Sequence, residues 1–130
     1  MRVRLYLVRH AEAAPGHPDE LRPITPRGRD QARAVGRSLR DACPALVLTS
    51  PLLRARETGA AIAKETGAEL RVDERLAPGA DVDSLVEAVA GCPEPVVAVG
   101  HQPDCGEIAT ALGVEVEGFA PADWVEIDLP

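Results

Sequence analysis

Aromatic side chains are nearly absent: one Trp, one Tyr and one Phe make up 2% of the 130 residues. A core without rings has to be built from Val, Leu, Ile and Ala, and the 45% hydrophobic content then suits helices packed on a buried parallel sheet. Cysteine is scarce as well. Cys43, Cys92 and Cys105 are odd in number and widely separated, without the paired spacing of a disulfide scaffold or a zinc knuckle, so buried or half-buried thiols are expected. Cys105 follows His101 by one helical turn, but two ligands do not make a metal site, and no metal or other cofactor is expected. Basic residues are in deficit, 14 against 21 acidic, for a formal charge of -7. That balance disfavours broad binding to nucleic acid or to an anionic membrane surface; any anion must be caught locally, by a few concentrated arginines. No apolar run approaches the roughly 20 residues needed to span a bilayer. The N-terminus also lacks the long apolar stretch of a signal peptide, so a cytoplasmic location is expected.

What is present reads as one domain over residues 1–130, the usual size for a single core. Short apolar runs at 3–8, 45–48 and 95–99 have the character of buried strands, 69–72 is a further strand candidate, and 124–129 alternates apolar and polar residues as an edge strand with one wet face does. Helical spacing fills the gaps. Thr25-Pro26 supplies a capping hydroxyl followed by proline at the first helical position, which predicts a helix over 26–41. A second is predicted over 52–66, stopping at Gly67, and two more at 83–90 and 105–112. The strict alternation predicts an α/β fold of three layers: a mostly parallel central sheet with helices on both faces. The Pro-rich stretch 14–26 reads as a loop.

In such sheets ligands collect at the carboxyl ends of the strands. Arg9-His10 follows the first predicted strand, Ser50-Pro51-Leu52-Leu53-Arg54 the second, and Gly100-His101 the fourth. Taken singly, a histidine after a strand is usually a cap or a surface residue, and Arg54 could pair with Glu57 at helical spacing. Two of only three histidines converging with two arginines on one sheet edge point to catalysis. No Gly-x-Gly-x-x-Gly follows the first strand, which leaves a Rossmann-like nucleotide binder weakly supported.

These residues resemble the histidine phosphatase superfamily, which includes phosphoglycerate mutases and acid phosphatases. Arg9-His10-Ala11-Glu12 is similar to its Arg-His-Gly-Glu signature, with Ala in place of Gly. Ile24-Thr25-Pro26-Arg27-Gly28-Arg29-Asp30-Gln31-Ala32 is similar to its Leu-Thr-x-x-Gly-x-x-Gln-Ala helix start. Ser50-Pro51-Leu52-Leu53-Arg54-Ala55-Arg56-Glu57-Thr58 resembles its Ser-x-x-x-Arg-Ala-x-x-Thr element, and Gly100-His101 its second catalytic histidine. The short length, Arg22-Pro23-Ile24-Thr25 and Leu76-Ala77-Pro78-Gly79-Ala80-Asp81 look most like the small branch typified by the phosphohistidine phosphatase SixA. The resemblance implies a phosphoglycerate mutase-like fold and a phosphatase working through a covalent phosphohistidine on His10. Without the long insertions that lid the larger members, the pocket would admit a phosphorylated protein side chain, as in a protein phosphohistidine phosphatase, or a small phosphorylated metabolite. A phosphate-binding regulatory module without turnover is the non-enzymatic alternative.

Chemistry supports the same roles. A neutral His10 nitrogen can attack phosphorus in line, splitting one displacement into two. Nearby arginines should hold its pKa down, and its other ring nitrogen should donate to a backbone carbonyl. Arg9 and Arg54 offer planar forks for phosphate oxygens, and His101 can donate to the equatorial oxygens. Arg22 and His17 are candidates for the pocket mouth. A general acid is harder to choose. The superfamily pattern suggests a carboxylate after the third strand, where Glu74, Asp73 and Asp81 are candidates; Arg75 stands where the small-branch pattern has a carboxylate. Glu12 is another, with Arg22 or Arg9 as its expected partner. A phosphoramidate needs less from an acid than an alkyl ester does, so labile phosphohistidine substrates are the expected preference.

Overall fold

The computed structural model describes residues 2–130. Its strands are β1 (Val3–Arg9), β2 (Leu46–Thr49), β3 (Glu69–Val72), β4 (Val96–Gly100) and β5 (Trp124–Leu129), and its helices α1 (Pro26–Leu39), α2 (Leu53–Thr66), α3 (Val82–Val89) and α4 (Asp104–Ala111). They form one sheet of order β3-β2-β4-β1-β5. The first four named are parallel, and β5 runs antiparallel to β1.

Strand alternation sorts the core into two layers, because successive side chains leave opposite faces of the sheet. Leu5, Leu7, Leu46, Leu48, Val96 and Ala98 pack against α3 and α4 through Leu85, Val89 and Ile108. Tyr6, Val8, Val47, Val97 and Val99 pack against α1 and α2 through Val35, Leu39 and Ile62. The three-layer α/β architecture is therefore as the sequence implies.

Helix ends follow their local chemistry. Thr25 accepts from the Gly28 N–H at 2.9 Å and Pro26 occupies the first turn of α1. Gly67 closes α2 at φ 81°, a left-handed conformation that costs glycine nothing. The predicted end of α1 was too late: the helix stops at Leu39 and a 3-10 turn, Arg40–Ala42, delivers the chain to Cys43 at φ 49°. That turn leaves Cys43 exposed, against the expectation of a buried or half-buried thiol. Cys92 is half-buried and Cys105 buried, and burial pushes the Cys105 thiol up to about 12. At the sheet edges, Ile127 and Leu129 of β5 face inward while Glu126 and Asp128 face water, and every residue of β3 is exposed.

β4 lies between β1 and β2, so Val96 faces Leu5 on one side and Leu46 on the other. This insertion brings the carboxyl ends of β1, β4 and β2 side by side.

Candidate active site

The His10 N–H donates to the Gly100 carbonyl at 2.9 Å, and the Ser50 N–H to the Val99 carbonyl at 3.1 Å. The ladder thus continues one residue past the strands and fixes three chain segments around one point. His10 and His101 meet there, ring centroids 5.3 Å apart.

The segment after β1 is held from several sides. The Ala11 N–H donates to the Thr58 hydroxyl at 3.0 Å, and that hydroxyl donates to the Arg54 carbonyl at 2.7 Å, tying β1 to the first turns of α2. The Glu12 N–H donates to Gln31 Oε1 at 2.9 Å, the Glu12 carbonyl accepts from the Thr25 N–H at 2.9 Å, and a Cβ at Gly28 would run into that same carbonyl oxygen. The Thr25, Gly28 and Gln31 pattern at the start of α1 is therefore a grip on the backbone next to His10.

His10 itself is buried, and its Nδ1 donates to the Ala11 carbonyl at 2.8 Å. That bond leaves the proton on Nδ1 and a lone pair on Nε2. Burial, reinforced by the Arg54 and Arg9 charges, holds its pKa below the ordinary imidazole value against the opposing pull of the Ala11 bond. His101 is buried too, with Nε2 2.7 Å from the Ser50 hydroxyl. Burial first, then the proximity of His10 and Arg54, brings its pKa down to about 4.

Two guanidinium groups complete the cluster. Arg9 donates through Nη1 to the Phe119 carbonyl at 2.8 Å. Arg54 donates through Nη1 to the Asp19 carbonyl at 2.9 Å and through Nη2 to Asp19 Oδ2 at 3.1 Å. Among the described residues, the Nε atoms of both arginines and Nδ1 of His101 are buried with no hydrogen-bond partner. Orphaned buried donors are uncommon in folded proteins. Three unpartnered polar atoms lie on neighbouring residues of this one cluster.

Arg22 reaches the Ala14 carbonyl at 2.8 Å and Asp19 Oδ1 at 3.1 Å, so Asp19 bridges Arg22 and Arg54; those bonds, Arg22 first, hold the Asp19 carboxyl below the usual range. His17 is exposed in the loop before the 3-10 turn Asp19–Leu21. Glu74 is exposed in the 3-10 turn Glu74–Leu76. Asp81 caps α3, accepting from the Ser84 N–H and hydroxyl at 2.9 Å, and these bonds keep it ionised. Asp73 is held by Arg75 at 2.8 Å. Two ion pairs that the sequence offers as alternatives to a site role are not formed. Glu12 accepts from the Thr25 hydroxyl and faces Arg27, not Arg22 or Arg9. Glu57 serves the Ile24 N–H and Arg29, which leaves Arg54 to Asp19.

The buried imidazoles make stability depend on pH. An unfolded imidazole takes up its proton near 6.5, whereas folded His101 does so only near 4. Between those values the unfolded chain binds more protons, so stability is complete above 6.5 and falls as the pH drops toward 4. The expected loss from His101 is about 3 kcal/mol. Urea midpoints across that window measure it; a decline no steeper in the wild type than in His101→Asn would count against it.

The sequence model of the histidine phosphatase superfamily (branch 1) matches residues 5–78, more than half of the chain. The chain belongs to that superfamily. Together with the likeness to solved phosphatases given below, this makes the chain a hydrolase of the phosphatase type, and the cluster around His10 and His101 has the composition that this chemistry needs. An uncharacterised protein of Picosynechococcus sp. is 38% identical over 120 residues, covering 85% of this chain and 73% of that protein. A structure from Agrobacterium tumefaciens, provisionally named phosphohistidine phosphatase SixA, superposes with a TM-score of 0.83 at 25% identity, covering 99% of this chain and 92% of that one. A mycobacterial glucosyl-3-phosphoglycerate phosphatase complexed with VO3 superposes at 0.74 with 25% identity, over 95% of this chain and 90% of that one. This histidine phosphatase is thus SixA-like in fold and in size. No helix of the described residues is long and apolar enough to cross a membrane.

Several residues of the site were not picked out from sequence. Ser50 and Thr58 stand in the quoted element, and only their spacing from Arg54 marked them. Asp19 and the Phe119 carbonyl come from loops with no periodic pattern.

Proposed function

We propose that this chain hydrolyses phosphohistidine on a protein partner in the cytoplasm, by way of a phosphoryl group carried on His10. The observation that carries the reading is the His10 Nδ1 bond to the Ala11 carbonyl, which leaves Nε2 as the nucleophile amid the unpartnered donors of Arg9, Arg54 and His101. In the first step Nε2 attacks phosphorus, the bond to the leaving group breaks, and the leaving group departs with its electron pair. In the second, water attacks the phosphohistidine, inorganic phosphate leaves, and His10 regains its lone pair. The arginine forks and His101 meet the charge of the equatorial oxygens in both steps.

The preference for a P–N substrate rests on the proton inventory. Asp73 and Asp81 are committed to Arg75 and to the cap of α3, which leaves the exposed Glu74 as the remaining one of the three candidate carboxylates for an ester leaving group. When the P–N bond of a ring-protonated phosphohistidine breaks, the phosphoryl group passes to His10 and the substrate's histidine leaves as neutral imidazole, so no such donor is needed. A small phosphorylated metabolite is the second reading, favoured by the likeness to the mycobacterial glucosyl-3-phosphoglycerate phosphatase.

Turnover of a phosphohistidine peptide and of a simple alkyl phosphate, measured side by side with acid-labile phosphate trapped on the enzyme, tests both. The peptide is expected to be the better substrate by at least about tenfold, one factor of ten being a barrier difference of roughly 1.4 kcal/mol. Equal or faster use of the alkyl ester sinks the phosphohistidine preference.

A further inference from the structure

We infer that Ser50 is a positioning residue that fixes His101 as its Nδ1–H tautomer, so that His101 meets a phosphoryl oxygen with a proton and not with a lone pair. The inference rests on the reading of this site as a phosphatase centre.

Ser50 follows β2 directly and is fully buried. Its hydroxyl accepts from the Leu52 N–H at 3.2 Å and lies 2.7 Å from His101 Nε2. A hydroxyl has one proton and two lone pairs. If Nε2 carried the imidazole proton, Ser50 would accept twice, and its own proton would have no acceptor among the described residues. If Ser50 donates to Nε2, the hydroxyl's proton is placed, the Leu52 N–H keeps its acceptor, and the imidazole proton must sit on Nδ1. Nδ1 is buried without a partner, and with Nε2 taken it is the one ring nitrogen left for a ligand. A lone pair there would repel an oxyanion, whereas an N–H stabilises it. The two histidines then hold the same tautomer for opposite ends: His10 commits its N–H to Ala11 and keeps the lone pair, and His101 commits its lone pair to Ser50 and keeps the N–H.

The test is a two-bond proton–nitrogen correlation spectrum of protein with 15N-labelled histidine. In the wild type, His101 is expected to show a protonated Nδ1 and an unprotonated Nε2, and the Nδ1 signal should move on titration with inorganic phosphate. Ser50→Ala should shift the proton toward Nε2 and lower kcat/KM by about 10- to 100-fold, as for one lost hydrogen bond to a buried partner. A wild-type proton on Nε2, an Nδ1 indifferent to phosphate, or an unchanged tautomer in Ser50→Ala overturns the assignment. The wild-type spectra decide alone if the variant does not fold. Hydrolysis of an activated aryl phosphate tests the phosphatase reading separately: an active enzyme with His101 protonated on Nε2 refutes only the role of Ser50.

Discussion

His10→Ala is expected to lower hydrolysis of an activated aryl phosphate by roughly 10⁴- to 10⁶-fold, the scale seen when a covalent nucleophile is removed from a preorganised site. Acid-labile phosphate on the enzyme should vanish with it. The size follows from what the remaining groups can do. Arg9, Arg54 and His101 still bind and polarise the ester, but water must attack without the near-attack placement that a side chain fixed by a 2.8 Å bond to the Ala11 carbonyl provides. A second variant separates chemistry from folding. The amide of His10→Asn can still donate to Ala11, so the segment between β1 and α1 keeps its grip, yet the variant should be as inactive as alanine. Hydrolysis that survives either change would remove His10 as the nucleophile.

Arg54→Ala should cost about 10³-fold in kcat/KM, between the loss of one oxyanion donor and the loss of a charged finger on a transferring phosphoryl group. Arg54→Lys should recover only part, because an ammonium restores the charge without the planar fork. The cost in stability is expected to be small. Asp19 loses one of two arginine partners, but its side chain is 54% exposed, so water takes the place of the guanidinium. The kinetic effect should therefore far exceed any shift in the unfolding midpoint. A rate within a factor of about three of wild type would take Arg54 out of the phosphate site; one lost oxyanion donor already costs about 100-fold.

Most of the fold was legible because its elements carry strong local signals. The apolar runs of β1 and β4, the Thr25-Pro26 start of α1 and Gly67 after α2 each specify a conformation within a few residues, and helix and strand boundaries came out within two residues of those signals. The sheet order was not legible, since it depends on which buried strands pair. The site was partly legible for the same reason: His10, Arg54 and His101 each follow a strand, and the sheet brings strand ends together. Asp19, the Phe119 carbonyl and the partners of Glu12 depend on how irregular loops fold back, and nothing periodic announces them. The alternative Arg54 to Glu57 pair does not form because the Ile24 N–H and Arg29 claim Glu57 from outside its own helix.

The place of β4 in the sheet sets the moment at which the protein acquires its chemistry during synthesis. β1 and β2 have no ladder with each other; both pair with β4, so a nascent chain that ends before Val96 has two strands with no common neighbour and lacks His101. Arg9 is oriented later still, by the Phe119 carbonyl from the loop before β5. Because the β1–β4 pairing and the Arg9 contact with Phe119 each span more than 90 residues of sequence, they form late, after loop closure has been met by the rest of the core. His10 thus stays without the neighbours that β4 and the loop before β5 bring to it until those segments have been made, and activity reports on the folding of the whole sheet.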